Sequence, residues 1–165
     1  MKCFIGIDLG STTTKAVLMD DNAEILGRGI TNSRSNYETA ASVAKQEARL
    51  GARLTLFRRG LSELTKMDDI EDLMTDLELS IRYEQFIEQL QDLHDTCASH
   101  IKEGEVAVKD ALDEVFDRLR EECAEFFTRS AERKSDFFRD IAGSRVMKLG
   151  EEVAKKRNVN FDTLL

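Results

Sequence analysis

A short run near the N-terminus carries residue types suited to holding a phosphate group. It contains a carboxylate, a glycine, three consecutive hydroxyl side chains and a lysine, in the order Asp8, Gly10, Ser11, Thr12, Thr13 and Lys15. Glycine lets the backbone approach a ligand closely, and hydroxyl and N–H groups in a turn cradle phosphate oxygens. Lysine adds a positive charge beside them. Because Mg²⁺ gives up its water reluctantly, the run predicts a magnesium–phosphate site in which Asp8 holds the ion through water.

The spacing of this run differs from that of the common phosphate motifs. The sequence contains no G-x-x-x-x-G-K-[ST] and no G-x-G-x-x-G. The same residue types also suit an ordinary tight β-turn, for which Asp, Gly and Ser are preferred on conformational grounds alone. The strand signals on both sides of the run favour the phosphate site over the plain turn.

Three short strands are predicted to position this loop. Cys3 to Leu9 is mostly apolar, which predicts a buried strand. Thr13 to Met19 and Glu24 to Thr31 carry strand-forming residues, and Gly27 and Gly29 either weaken the third strand or mark a bulge. Turn residues separate the three runs, so the sequence predicts an antiparallel meander.

The sequence changes from strand signals to helix signals at about residue 35. Apolar residues recur at three- and four-residue spacing near residues 40–57, 70–90, 108–126 and 137–153. Such faces need partners, which predicts packing as a bundle or hairpin. We therefore expect an α+β chain, with a meander and phosphate loop in residues 1–34 and a helical region in residues 35–165.

Local signals predict where these helices begin and end. Ser35 and Glu38 form a capping box at the start of the first helix, and Asp68 or Asp69 can cap the second. Three glycines interrupt the apolar pattern and are possible breaks: Gly104, Gly143 and Gly150.

Composition excludes several classes of function. The net charge is −8 and the sequence pI is about 4.9, so the basic footprint of a nucleic-acid-binding protein is absent. No apolar run reaches the length of a membrane span. The cysteines Cys3, Cys97 and Cys123 have no metal-ligand spacing, which favours small apolar fillers in a reducing compartment. We expect a cytoplasmic protein.

The motif resembles a known family at these residues. Gly6-Ile-Asp-Leu-Gly-Ser-Thr-Thr-Thr-Lys15 is similar to the first phosphate motif of the superfamily that includes actin, 70-kDa heat-shock proteins, hexokinases and carbohydrate kinases. The sequence of this motif most resembles that of the ATPase subunits of benzoyl-CoA reductase and of the activators of 2-hydroxyacyl-CoA dehydratases. The segment Leu26 to Ala40 also resembles the benzoyl-CoA reductase subunits.

This resemblance implies a fold and a chemistry. The meander would belong to one ribonuclease-H-like half of an ATPase, and residues 41–165 would suit a helical insertion. ATP hydrolysis would drive electron transfer from a [4Fe–4S] cluster to a partner that reduces a thioester. Asp8 would hold Mg²⁺–ATP, and Gly10 to Thr13 with Lys15 would contact the phosphates. The implied partners are other subunits of an acyl-CoA reductase or dehydratase complex, and a related ATPase subunit in a homo- or heterodimer.

Several family features are missing from the sequence. It shows no second Asp/Gly-rich phosphate turn and no Gly-Gly adenosine motif. The cysteines match no cluster motif, so no cluster ligand is carried over, and no complete catalytic set is present. We therefore expect an N-terminal part of such an ATPase, truncated at its C-terminus and inactive alone.

Two other interpretations stay open. Carbohydrate and metabolite kinases share much of the sequence pattern from Gly6 to Lys15, so the chain could be a fragment of such a kinase. The long amphipathic stripes also suit a non-catalytic helical module that binds another protein.

Overall fold

The computed structural model describes residues 1–33, 36–64, 69–131 and 138–164. The strands β1 (Cys3–Leu9), β2 (Thr13–Asp20) and β3 (Ile25–Asn32) form an antiparallel sheet in that order. The helices are α1 (Tyr37–Leu64), α2 (Ile70–Ser99), α3 (Val106–Ala124), α4 (Phe138–Arg157) and α5 (Phe161–Leu164), and a 3-10 turn follows α3 at Glu125–Phe127. The predicted α+β class, a meander followed by long helices, is confirmed. The chain divides into two compact units, Met1–Met74 and Thr75–Leu165.

Helix α1 covers one face of the sheet. It packs mainly on β3 and β2, where Ala16 and Leu18 contact its buried alanines. These alanines recur every fourth residue, so they share one side of the helix: Ala40, Ala44, Ala48 and Ala52. The alanines of the first predicted stripe therefore face the sheet of their own unit, whereas Phe57 at its end is exposed.

Two glycines of β3 allow α1 to approach the sheet closely. A Cβ atom on Gly27 would lie 2.0 Å from the carbonyl oxygen of Ala48, and one on Gly29 would lie 2.0 Å from that of Ala44. The register between β2 and β3 shifts at Leu18/Met19, next to Gly27, so a bulge is also present as expected. Close helix approach is the stronger reason for glycine at both positions.

Strand β1 is exposed along its whole length, so the expectation of a buried strand is wrong. Phe4 is 57% exposed and Leu9 is 54% exposed. The physical reason is that β1 is an edge strand and α1 packs mainly on the other two strands. Cys3 is exposed as well, so the interpretation of the cysteines as apolar fillers fails at that position.

The second unit has a larger apolar core, formed between α2, α3 and α4. Its buried residues include Phe86, Leu90, Leu112, Val115, Phe116, Leu119, Cys123, Leu149 and Val153. The stripe predicted near residues 108–126 is confirmed on α3. Phe86 contacts the rings of Phe127 and Phe138 at centroid distances of 5.4 and 5.2 Å.

Most predicted helix boundaries hold, with two exceptions. Gly104 lies between α2 and α3 with φ +95°, but α4 continues through Gly143 and Gly150. A helical glycine costs only about 1 kcal/mol, which the packing of the surrounding helix against the core offsets.

Helix α1 is capped by a side chain that the sequence analysis did not select. The backbone N–H of Thr39 donates to Asn36 Oδ1 at 3.0 Å, which is the usual role of an N-cap residue. Ser35 and Asp68, predicted as caps, lie outside the described residues, as does Phe137. Within the described ranges, no helix combines the length and the apolar character needed to cross a lipid bilayer.

We predict that Gly27→Ala destabilises the sheet unit by about 3 kcal/mol, because its methyl group overlaps helix backbone. Gly60→Ala is the matched control, since a Cβ there meets nothing within 4 Å and alanine favours a helix by about 0.5–1 kcal/mol. Hydrogen exchange of the β2 and β3 amides measures both effects. Undiminished protection in Gly27→Ala would contradict the close approach.

A second prediction concerns pH. Burial raises the pKa of the Cys123 thiol from 9.0 to about 11. The unfolded chain therefore loses this proton first, and the contribution of Cys123 to stability falls as pH rises from 9 towards 11. We expect the difference in unfolding free energy between wild type and Cys123→Ala to shrink over this range. Leu119→Ala, at a buried site without a titratable side chain, should show a constant difference; a constant difference for Cys123→Ala would refute the shift.

Candidate phosphate-binding site

The β1–β2 hairpin contains all the residues predicted to bind phosphate. Asp8, Ser11, Thr12 and Lys15 are exposed, while Gly10 and Thr13 are partly buried. The strand register places Asp8 directly opposite Lys15. The structure thus brings one carboxylate, one ammonium group and three hydroxyls to a single end of the sheet.

The turn itself depends on Gly10. The Gly10 N–H donates to the carbonyl oxygen of Thr13 at 3.1 Å, which closes the hairpin around Ser11 and Thr12. A Cβ on Gly10 would lie 2.7 Å from that same oxygen, closer than atoms of that kind pack. Glycine is therefore required here by contact, and it holds the two hydroxyl residues at the exposed tip.

Ser33, just after β3, fixes the loop from its buried side. Its backbone N–H donates to the Thr12 carbonyl at 2.9 Å, and its hydroxyl donates to the Gly10 carbonyl at 2.5 Å. Since a hydroxyl has one proton, the 2.8 Å contact with Thr14 Oγ1 must be a bond that Thr14 donates. Ser33 and Thr14 are 1% and 0% exposed. Ser33 therefore binds the carbonyl oxygens of Gly10 and Thr12 from the buried side of the loop. The exposed hydroxyls of Ser11 and Thr12 at the tip stay available to a ligand.

Neither Ser33 nor Thr14 was selected from the sequence. A signal for Ser33 exists in the meander itself, because β3 runs back towards the β1–β2 turn and Asn32 pairs with Thr13. A polar residue directly after β3 must therefore lie beside the loop. Thr14 was hidden within a run of three threonines, of which it alone is fully buried.

Charge is arranged on the face of the sheet that α1 leaves uncovered. Side chains alternate along a strand, and Ala16 faces α1, so Lys15 points to the opposite face. Asp8 pairs with Lys15 and shares that face. Both groups lie in water beside the loop, where a phosphate and its metal ion would meet one group of each sign.

These residues fit the phosphate and Mg²⁺ part of a nucleotide. The exposed hydroxyls at the hairpin tip, the cation of Lys15 and the carboxylate of Asp8 match that chemistry. No set of three or more His, Cys, Asp or Glu side chains in the described residues is placed to hold a metal ion. An ion bound here would therefore be held by Asp8 with water and phosphate oxygens.

The cysteines do not fit an iron–sulfur cluster. A cluster is held by several ligands at one place, most often cysteine thiolates, and the three cysteines form no metal-binding group among the described residues. We assign no cluster ligand to this chain.

A second polar concavity lies along α3 of the other unit. Most of its lining is acidic, including Asp110, Asp113 and Asp117. Lys156 and Arg157 pair with Glu114 at 2.7 and 2.5 Å and lower its pKa. These ion pairs join α4 to α3. The packing of the two helices therefore explains why Glu114, Lys156 and Arg157 lie at this concavity.

Comparison with known families identifies one match. Residues 5–132 match the family model described as the BadF/BadG/BcrA/BcrD ATPase family. The match covers more than half of the chain and includes the Asp8 to Lys15 loop and helices α1 to α3. No curated protein and no solved structure matches the chain.

We predict that Ser33→Ala loosens the loop and destabilises the sheet unit by about 1–2 kcal/mol, because a buried Thr14 hydroxyl and a buried carbonyl lose their partner. Ser42→Ala, at an exposed position of α1, is the control and should be neutral. Hydrogen exchange at Gly10 and Ser33 reports the change. If exchange is the same in both variants, Ser33 does not hold the loop.

Proposed function

The chain belongs to the BadF/BadG/BcrA/BcrD ATPase family, and on that premise we propose that its β1–β2 hairpin binds the phosphates of Mg²⁺–ATP. One observation carries the proposal: Ser33 holds the hairpin from its buried side while Ser11 and Thr12 stay exposed at its tip. A loop fixed in this way pays little ordering entropy when it binds.

Each residue has a distinct role in this proposal. Gly10 lets the turn approach the phosphates closely, while its own N–H stays bonded to the Thr13 carbonyl. The hydroxyls of Ser11, Thr12 and Thr13 bind phosphate oxygens together with N–H groups of the turn. Lys15 offsets the phosphate charge. Asp8 accepts hydrogen bonds from the water around the metal ion. A Mg²⁺ ion held through water by Asp8 would supply positive charge beside the phosphates.

The hairpin supplies only one wall of a nucleotide site. It offers one carboxylate, and the sequence contains no Gly-Gly adenosine motif. We therefore propose weak nucleotide binding by this chain alone and no turnover, with hydrolysis depending on groups outside it.

The finer assignment is to an ATP-driven electron-transfer activator, similar to the ATPase of benzoyl-CoA reductase or the activators of 2-hydroxyacyl-CoA dehydratases. The sequence from Gly6 to Lys15 and the family match support this assignment. In this proposal the [4Fe–4S] cluster is held by residues outside the chain, and the helices after residue 35 are an insertion. The partners are the other subunits of the reductase or dehydratase and a related ATPase subunit, in the cytoplasm.

One observation favours a second role. Residues Thr75–Leu165 form a compact unit of their own, with an aromatic and leucine core that involves no residue of the hairpin. A unit of this kind can bind another protein whether or not nucleotide is bound. We propose this as a complementary function of the helical region.

The test is a titration of the full chain with Mg²⁺–ATP, followed by NMR shifts of the hairpin amides. We expect a dissociation constant on the order of 1 mM, since a single wall makes few contacts. Asp8→Asn should weaken the Mg²⁺-dependent binding by about 10-fold, whereas Asp21→Asn, an exposed residue of the β2–β3 turn, should leave it unchanged. If the hairpin amides do not shift, or Asp8→Asn binds like wild type, the proposal is wrong.

A further inference from the structure

The side chains of the meander divide between two faces of the sheet. Thr14 and Ala16 of β2 are 0% and 1% exposed, and Ala16 packs against α1. Side chains alternate along a strand, so Thr13 and Lys15 lie on the opposite face, which we call the outer face. Residues directly opposite each other share a face, and the register pairs Thr13 with Asn32. Asn32 therefore lies on the outer face, beside the loop.

The bonds of Ser33 give the same position for its neighbour Asn32. The Ser33 hydroxyl contacts the buried Thr14 hydroxyl at 2.8 Å, so Ser33 points inward and Asn32 points outward. The Ser33 N–H donates to the Thr12 carbonyl. In an antiparallel ladder, a bond between the residues that flank a pair marks a non-hydrogen-bonded pair, in which side chains come closest. The Cβ atoms of Thr13 and Asn32 are therefore about 4.5–5.5 Å apart.

The side-chain amide of Asn32 has unused hydrogen-bonding capacity. Asn32 is partly buried, yet within the described ranges its side chain forms no hydrogen bond. Its amide atoms reach solvent, because His94 Nδ1 is the one fully buried side-chain N or O atom without a partner in that part of the chain. Asn36, by contrast, caps α1. An amide offers two N–H donors and a carbonyl acceptor, so Asn32 presents these groups to whatever lies beside the loop.

Close to the loop, the charge of the outer face changes sign from β1 to β3. Asp8 of β1 lies opposite Lys15 of β2, which in turn lies opposite Ile30 of β3. Arg28, an exposed residue, is two positions from Ile30 on the same face and is a diagonal neighbour of Lys15. The carboxylate is thus on one side and both cations are on the other. Phosphate oxygens are therefore favoured over β2 and β3, and a metal ion over β1.

We propose that Asn32 binds a phosphate group of the nucleotide through its side-chain N–H groups, beside the hydroxyl of Thr13. This inference rests on the proposed function, because it takes the hairpin as the phosphate site. The third strand then contributes to binding directly, in addition to holding the loop through Ser33. Asn32 contacts the phosphate from the β3 side, while Asp8 holds the metal ion through water on the β1 side. The sheet therefore determines the direction in which the metal–phosphate pair lies across the loop.

Two substitutions test the amide, with ATP titrations of the full chain followed by the amide shifts of Ser11 and Thr12. Asn32→Ala removes the donor and should weaken Mg²⁺–ATP binding by about 10-fold, the usual effect of a hydrogen bond to a charged group. Asn32→Asp keeps the shape but adds a negative charge, so it should weaken binding further, most of all without Mg²⁺. Asn22→Asp, the same change at the exposed β2–β3 turn, is the matched control and should bind like wild type.

Replacement of Mg²⁺ by Mn²⁺ tests the orientation in the unaltered chain. A paramagnetic ion broadens NMR signals more strongly the closer it lies to them. With Mn²⁺–ATP, the backbone amide signal of Asp8 should therefore broaden at a lower concentration than the side-chain amide signals of Asn32. Equal or earlier broadening at Asn32 would place its amide next to the water around the ion, and would overturn its assignment to the phosphate.

The outcomes separate this inference from the nucleotide proposal. If the hairpin amides of wild type do not shift with Mg²⁺–ATP, both are wrong. If wild type binds and Asp8→Asn weakens binding, but Asn32→Ala and Asn32→Asp bind like wild type, only the role of Asn32 is wrong. Hydrogen exchange at the Ser33 N–H should match wild type in both Asn32 variants, because its bond to Thr12 is made by backbone. The Mn²⁺ measurement needs no variant and decides the question even if a substitution disturbs the fold.

Discussion

At Gly27 and Gly29, helix α1 comes so close to the sheet that a methyl group would lie 2.0 Å from a helix carbonyl oxygen. The rest of the sheet unit depends on this contact. It settles which face of the sheet is covered, since Ala16 and Leu18 meet the alanines of α1. It also places the helix over β2 and β3, so the opposite face keeps Asp8 and Lys15 in water and the edge strand β1 is exposed.

The candidate site is shaped by residues that never touch the proposed ligand. Ser33 joins the end of β3 to the carbonyls of Gly10 and Thr12, so the conformation of the loop is coupled to the packing of the third strand. Because α1 holds β3 through the glycine contacts, the helix, the strand and the loop form one connected arrangement. A loop held in this way is already ordered, which would favour the phosphate binding proposed for it.

The hairpin that carries the candidate site was predictable because its residues are local in sequence. Asp8, Gly10 and Lys15 lie within one hairpin, and turn residues with flanking strand signals identify such a hairpin directly. Ser33 was missed because its side-chain bonds span 19 and 23 residues and become visible only when the strand register is known.

The burial of β1 was predicted wrongly for a related reason. Apolar composition shows that a strand can be buried, but only the neighbouring elements decide whether it is. Likewise Gly150 looked like a break, although its buried position in α4 keeps the helix intact.

The glycine and alanine contact has a thermal consequence. The core between α1 and the sheet is built from Ala16, Ala44 and Ala48 with Leu18 beside them, whereas the helical unit buries phenylalanine, leucine and valine side chains. The heat capacity change of unfolding follows the apolar surface exposed, so per residue it is smaller for the sheet unit. Its stability therefore varies less with temperature. Cooling weakens apolar burial, so it destabilises the helical core more than the contact between α1 and the sheet.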